Sequence, residues 1–97
     1  LIVRFSTPAQ GDRREAARFY EREVRGLGER FKTQLKRTID RVIAYPQIGS
    51  VLEAPVRSAR VSGFPYAVVY VIDHDVLRIL AVMHDARDPE TVRSRLR

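Results

Sequence analysis

Four side chains in this 97-residue sequence have types suited to chemistry on an anion, or to gripping one: Arg60, Tyr66, His84 and Arg87. His84 carries an imidazole beside Asp85 and Arg87, so it could serve as a general base or as a contact to a target. The alternative is an imidazole that hydrogen-bonds backbone where a strand ends. Arg60 and Arg87 suit bidentate recognition of phosphate or carboxylate, although Arg87 could instead pair with Asp85 or Asp88. Tyr66 could stack on a base, while Tyr70, of the same strand parity, reads as core packing. His74, between Asp73 and Asp75, reads as a solvated turn residue. Two histidines and no cysteine leave no converging ligand set, so no metal and no other cofactor is expected. The chain has no Gly-rich phosphate loop and no serine or cysteine nucleophile set.

The elements that must position these residues are legible from pattern. Two apolar runs, Tyr66 to Ile72 and Val76 to Met83, flank Asp73-His74-Asp75 and predict a β-hairpin whose end carries His84, Arg87 and Asp88. Both runs are apolar on both parities, as in central strands covered on two faces. Leu1 to Phe5 and Val56 to Phe64 predict two weaker strands. Thr7 as N-cap, Pro8 at the first helical position and Gln10 three residues after the cap predict a helix running to about Arg25. Its expected stripe is Ala16, Phe19, Tyr20, Val24 and Leu27. A second helix, with Phe31, Leu35, Ile39, Val42 and Ile43 on one face, follows the short link at Gly26 to Gly28 and stops at Pro46. Pro46 to Pro55 reads as a loop, with Ile48, Val51 and Leu52 pinning it to the core. Asp88 as N-cap and Pro89 at the first helical position predict a last short helix through Arg97. The order is β-α-α-β-β-β-(α), an α+β fold in which an antiparallel helical hairpin packs on a small, mostly antiparallel sheet. One helical hairpin covers one sheet face. The other is left for a second copy, a partner chain or the C-terminal segment.

Residues 1–97 suit a single domain. The longest apolar run is far short of a membrane span, and with no cysteine the chain is compatible with a reducing compartment, so a cytoplasmic domain with no membrane partner is the expectation. The net charge is +6, which favours an acidic partner such as nucleic acid or an acidic protein segment. The excess lies on residues 12–41, with ten Lys/Arg against six Asp/Glu. These helical charges read as a solvated face, with partner binding as the alternative.

Five features in order carry a resemblance over nearly the whole chain. They are the opening strand, the charged helical hairpin with Gly-Leu-Gly-Glu-Arg-Phe at its bend (26–31), the Pro46 stop, Phe-Pro-Tyr-x-Val-x-Tyr (64–70) and Ile-Leu-Ala-Val-x-His-x-x-Arg-Asp-Pro (79–89). Together they resemble the RelE/ParE superfamily of toxins from bacterial type II toxin–antitoxin modules, with the ending closer to the ParE branch. The resemblance implies a toxin held inactive in a hetero-oligomer by a cognate antitoxin, whose flexible acidic or amphipathic tail folds onto it. RelE-like members are ribosome-dependent mRNA endonucleases that use a spread of basic residues and often a C-terminal tyrosine. Against that pattern Arg60 and Arg87 match, whereas Ser58, Ala67 and Val92 or Arg93 stand where basic or tyrosine residues are expected. His84 alone offers proton transfer, because arginine rarely deprotonates. ParE-like members act on DNA gyrase without a catalytic set of their own, and the sequence fits that account better. The resemblance therefore implies a gyrase inhibitor, with Arg60, Tyr66, His84 and Arg87 as the candidate target contacts. The alternatives are an mRNA endoribonuclease acting with the ribosome through a reduced set (Arg60, His84, Arg87), and a non-toxic binding module.

Overall fold

The computed structural model describes residues 1–87 and 89–96. Along the chain run β1 (Ile2–Phe5), α1 (Thr7–Glu23), α2 (Leu27–Ala44), β2 (Ser50–Glu53), β3 (Val56–Arg60), β4 (Tyr66–Asp73), β5 (Val76–His84) and α3 (Pro89–Arg95). They build one five-stranded sheet in the order β1-β5-β4-β3-β2, in which β1 runs parallel to β5 and every other pair is antiparallel. The expected α+β architecture is therefore present, with one strand more than the sequence pattern announces.

The extra strand is β2, inside the segment expected to be a loop. Its side chains do not pin it: Ile48, Val51 and Leu52 are 52%, 54% and 45% exposed. What holds the segment is Tyr70, whose buried hydroxyl donates to the Pro46 carbonyl at 2.9 Å and accepts from the Gly49 amide at 3.0 Å. Gly49 is required there, since a Cβ would fall 2.7 Å from the Tyr70 Oη.

The N-cap of α1 is Ser6 rather than Thr7. Ser6 has extended backbone (φ −63°, ψ 161°) and its hydroxyl accepts from the Ala9 amide at 3.1 Å, which moves Thr7 into the first turn. Gln10 does not close a capping box; its amide donates to the Phe5 carbonyl. The helix ends at Glu23, and Phe19 and Val24, expected on the apolar stripe, are exposed. The buried stripe is Ala9, Ala16 and Ala17, with Tyr20 partly buried. Small residues predominate because the helices touch closely: a Cβ on Gly28 of α2 would lie 2.5 Å from the Ala17 carbonyl. Gly26 caps α2 from the left-handed region (φ 87°) and has no side chain to satisfy the first turn. Glu21 reaches across the bend instead, accepting from the Gly26 and Gly28 amides. On α2, Phe31, Leu35, Ile39 and Val42 are buried as expected, Thr38 joins them, and Ile43 lies at the margin.

β4 and β5 are covered on both faces. On the hairpin side Val68, Tyr70, Leu77, Ile79 and Val82 pack with Phe31, Leu35, Ile39 and Val42. On the other side Val56, Val69, Ala81 and Met83 pack with Val71, Leu80 and, from α3, Val92 and Leu96. Among the alternatives for that second face, the C-terminal segment supplies cover. A β-bulge sets the sides: Val69 pairs with Ala81 but Tyr70 pairs with Ile79, so Leu80 is the extra residue and stands on the same face as Ala81. The N-cap expected at Asp88 lies outside the described residues.

Candidate functional site

The four candidate residues meet at one end of the sheet. Tyr66 opens β4 and His84 closes β5, and the two are partners across the ladder, with rings edge-on at 5.2 Å. Tyr66 is also edge-on to Phe31 at 5.2 Å and to Tyr20 at 6.0 Å, so its ring packs against the hairpin-side core. Burial raises that hydroxyl's pKa above its ordinary value; Arg87 opposes the rise, and Glu15 and Asp12 add to it. Tyr66 is therefore a neutral donor at any physiological pH.

After His84 the chain turns through backbone bonds, from the Arg87 amide to the His84 carbonyl (3.0 Å) and from the Asp85 amide to the Pro65 carbonyl (2.8 Å). His84 Nδ1 accepts from the Ala86 amide at 2.9 Å, the strand-ending contact weighed against catalysis, and this leaves Nε2 to face outward partners. Asp85 pairs with Arg60 at 2.9 Å and not with Arg87. With Arg60 mostly exposed, that ion pair is worth at most about 1 kcal/mol, so an anionic partner can displace it cheaply. Arg87 is exposed and close enough to bias Tyr66. The edge thus presents two guanidinium groups, one imidazole nitrogen and one neutral phenol. That set is suited to gripping an anionic or hydrogen-bonding surface, and it is poor in groups that move protons. Among the described residues no three His, Cys, Asp or Glu side chains are grouped to hold a metal ion.

Asp12, Arg95 and Ser6 escape sequence reasoning and matter to this edge. β1 covers β5 only as far as Ile79, so the outer backbone edge of residues 80–84 needs other partners. Ser6 Oγ donates to the Leu80 carbonyl at 3.3 Å, and Asp12 Oδ2 accepts from the Val82 amide at 3.0 Å. Arg95 of α3 clamps Asp12 with two bonds of 2.7 and 2.8 Å, and the Asp12 side chain is only 10% exposed. The Asp12 bonds raise the Arg95 pKa further, so the clamp is always charged on that side. One local signal marks Asp12: it stands three residues after Ala9, within the buried stripe of α1.

A second surface lies on the far flank of the hairpin. An open groove of about 970 Å³ runs between α1, α2 and β1, with Val3, Phe5, Ala17, Leu35, Ile39 and Ile43 along its floor. Arg14, Arg18, Lys32 and Lys36 stand on its rim with Glu21, Glu29 and Asp40. Arg13 lies over the Phe5 ring at 4.5 Å from its centre.

Comparison with known proteins agrees with this architecture. A solved structure titled the chromosomal ParDE TA system from P. aeruginosa superposes with a TM-score of 0.64 at 16% identity, over 87% of this chain and 95% of that one, a likeness of fold. No curated protein sequence matches the chain. The sequence profile described as the ParE toxin of the type II toxin-antitoxin system, parDE, matches residues 3–89, and on that match the chain belongs to the ParE toxin family.

Proposed function

We propose that this chain is the toxin of a type II toxin–antitoxin module, that a cognate antitoxin neutralises it, and that its target is DNA gyrase rather than mRNA. Membership of the ParE family is the observation that carries the reading. The groove supports the antitoxin partner. An apolar floor between two helices, with Arg14 and Arg18 on the rim beside the matched Glu29–Lys32 and Lys36–Asp40 pairs, fits an amphipathic segment with acidic flanks that folds as it binds.

The polar edge supports a target contact without catalysis. Of its groups, Arg60 is engaged by Asp85 and His84 has one ring nitrogen committed to backbone. A nucleophilic 2′-hydroxyl needs a proton acceptor and a leaving oxygen needs a donor, and His84 Nε2 alone cannot fill both posts at once. One observation favours the ribonuclease reading, namely that imidazole, phenol and guanidinium stand at the same edge.

Induction in cells separates the two. A gyrase poison should cause filamentation and DNA-damage signalling while bulk mRNA stays intact, whereas rapid codon-positioned cleavage of translated mRNA would overturn the reading. The double variant His84→Ala, Arg87→Ala should lose growth inhibition with little change in melting temperature, because Arg87 is exposed and His84 only partly buried. Full toxicity in the soluble double variant would remove this edge from the target contact.

A further inference from the structure

The two flanks of α2 differ in how their charges are spent. Facing the groove, Glu29 pairs with Lys32 at 2.9 Å and Lys36 with Asp40 at 3.0 Å, so both acids and both lysines of the helix are matched. The arginines are not. At 3.6 residues per turn Arg30, Arg37 and Arg41 fall within about 40° of one another, in a straight row about 16 Å long. All three are exposed, and among the described residues none pairs with a carboxylate. Arg41 reaches the Arg60 carbonyl at 3.5 Å, which places the row on the β3 side, away from the groove.

Two features of this row work against the stability of its own helix, although Arg41, in the last turn, suits the dipole. Arg30 is a cation in the first turn, where the helix dipole favours anions, and Arg37 and Arg41 repel at i,i+4. A solvated face chosen for stability would alternate signs there, as the groove flank does. Between the arginines stands Gln34, a polar side chain of the kind that contacts phosphate oxygens, while the Thr33 hydroxyl donates to the Glu29 carbonyl at 3.0 Å. Arginine is also the cation whose fork matches phosphate bidentately.

We infer that Arg30, Arg37 and Arg41 form a ridge that binds the phosphate backbone of a polynucleotide. The ridge is separate from the groove, meets the polar edge only where Arg41 touches the Arg60 carbonyl, and goes beyond the choice of protein target. It would give the toxin its own hold on nucleic acid, independent of sequence.

The test is fluorescence anisotropy of the purified 97-residue chain with a labelled 20-base-pair DNA duplex and with an RNA hairpin, across graded NaCl and without gyrase. Binding to duplex should weaken with a log–log salt slope of about −3, one phosphate neutralised per arginine. The triple variant Arg30→Gln, Arg37→Gln, Arg41→Gln should bring the slope toward zero, cut affinity at low salt by more than about tenfold and melt no lower than the parent. A control triple, Arg4→Gln, Arg22→Gln, Arg78→Gln, removes the same formal charge elsewhere and should change affinity by less than about threefold. Preference for duplex or for hairpin identifies the source of the phosphates, and either supports the ridge. Three results overturn it: no binding to either probe, equal loss in both triples, which would show diffuse attraction, or an Arg30/Arg37/Arg41-dependent binding of poly-glutamate with none of polynucleotide.

Discussion

Against one face of the sheet the helical hairpin lays Phe31, Leu35, Ile39 and Val42, all buried, whereas the other face receives Val92 and Leu96 from a seven-residue helix. The first cover is held by a continuous apolar core, aromatic contacts among Tyr20, Phe31, Phe64 and Tyr66, and a helix bend sealed by Glu21. The second is held by two partly buried side chains and the Asp12–Arg95 clamp. A seven-residue helix has little stability of its own, so α3 stays folded because it is docked. The hairpin face accordingly makes the fold, and the α3 face is an attachment. The polar edge lies where the two meet, since His84 follows Met83 of the second face and contacts Tyr66 of the first.

Trimming the centre of the first face should have the largest effect. Ile79 is fully buried under the hairpin, and Ile79→Ala should cost about 2–5 kcal/mol, lowering the denaturation midpoint for every probe together. Leu80, its neighbour, is the bulge residue on the second face and only partly buried, so Leu80→Ala should cost clearly less. Equal losses at the two positions would mean that the faces are energetically alike.

Cutting the clamp comes next. Asp12→Ala removes both bonds to Arg95 and the acceptor of the Val82 amide, for a loss of about 2–3 kcal/mol. The distinguishing readout is local. Amide exchange in residues 91–96 should rise toward the unprotected rate while α2 keeps its protection. Uniform loss of protection across the chain would show α3 to be an integral layer.

How far these features were legible beforehand follows from the range of the interactions that make them. The 3.6-residue period of α2, the stop at Pro46 and the two long apolar runs are local, and they sufficed for the helical hairpin, the central strands and the placing of His84 and Arg87 at one strand end; Arg60 and Tyr66 join them through strand pairing and the Arg60–Asp85 contact, which no local pattern marks. β2 was not legible because its apolar side chains are exposed and its identity as a strand rests on pairing with β3. Ser6 and Thr7 are adjacent hydroxyls, either able to cap, and backbone entry decides between them. In β5, apolar on both parities, nothing in the pattern marks the slip at Leu80. The Asp12–Arg95 pair joins positions 83 apart in sequence, and α3 carries no periodicity long enough to announce its partner.

The smallest expected effect probes the boundary of the two faces at Tyr66. In the folded chain its hydroxyl is held above the ordinary value of 10.0, chiefly by burial, whereas in the unfolded chain it ionises at that ordinary value. Above pH 10 the unfolded state has therefore lost a proton that the folded state keeps, and stability must fall as pH rises. Below that pH both states are protonated and the group contributes no slope. Tyr66→Phe retains the ring contacts to Phe31 and His84 and removes the ionisation, so it should match the parent below about pH 9 and become progressively the more stable of the two as pH climbs past 10. Tyr20, raised by the same burial and by Tyr66 itself, leaves a residual slope in the variant. Denaturant titrations at a series of alkaline pH values read the difference directly. Parallel curves for parent and variant would place the Tyr66 hydroxyl in free solvent, and the edge would then belong to neither face.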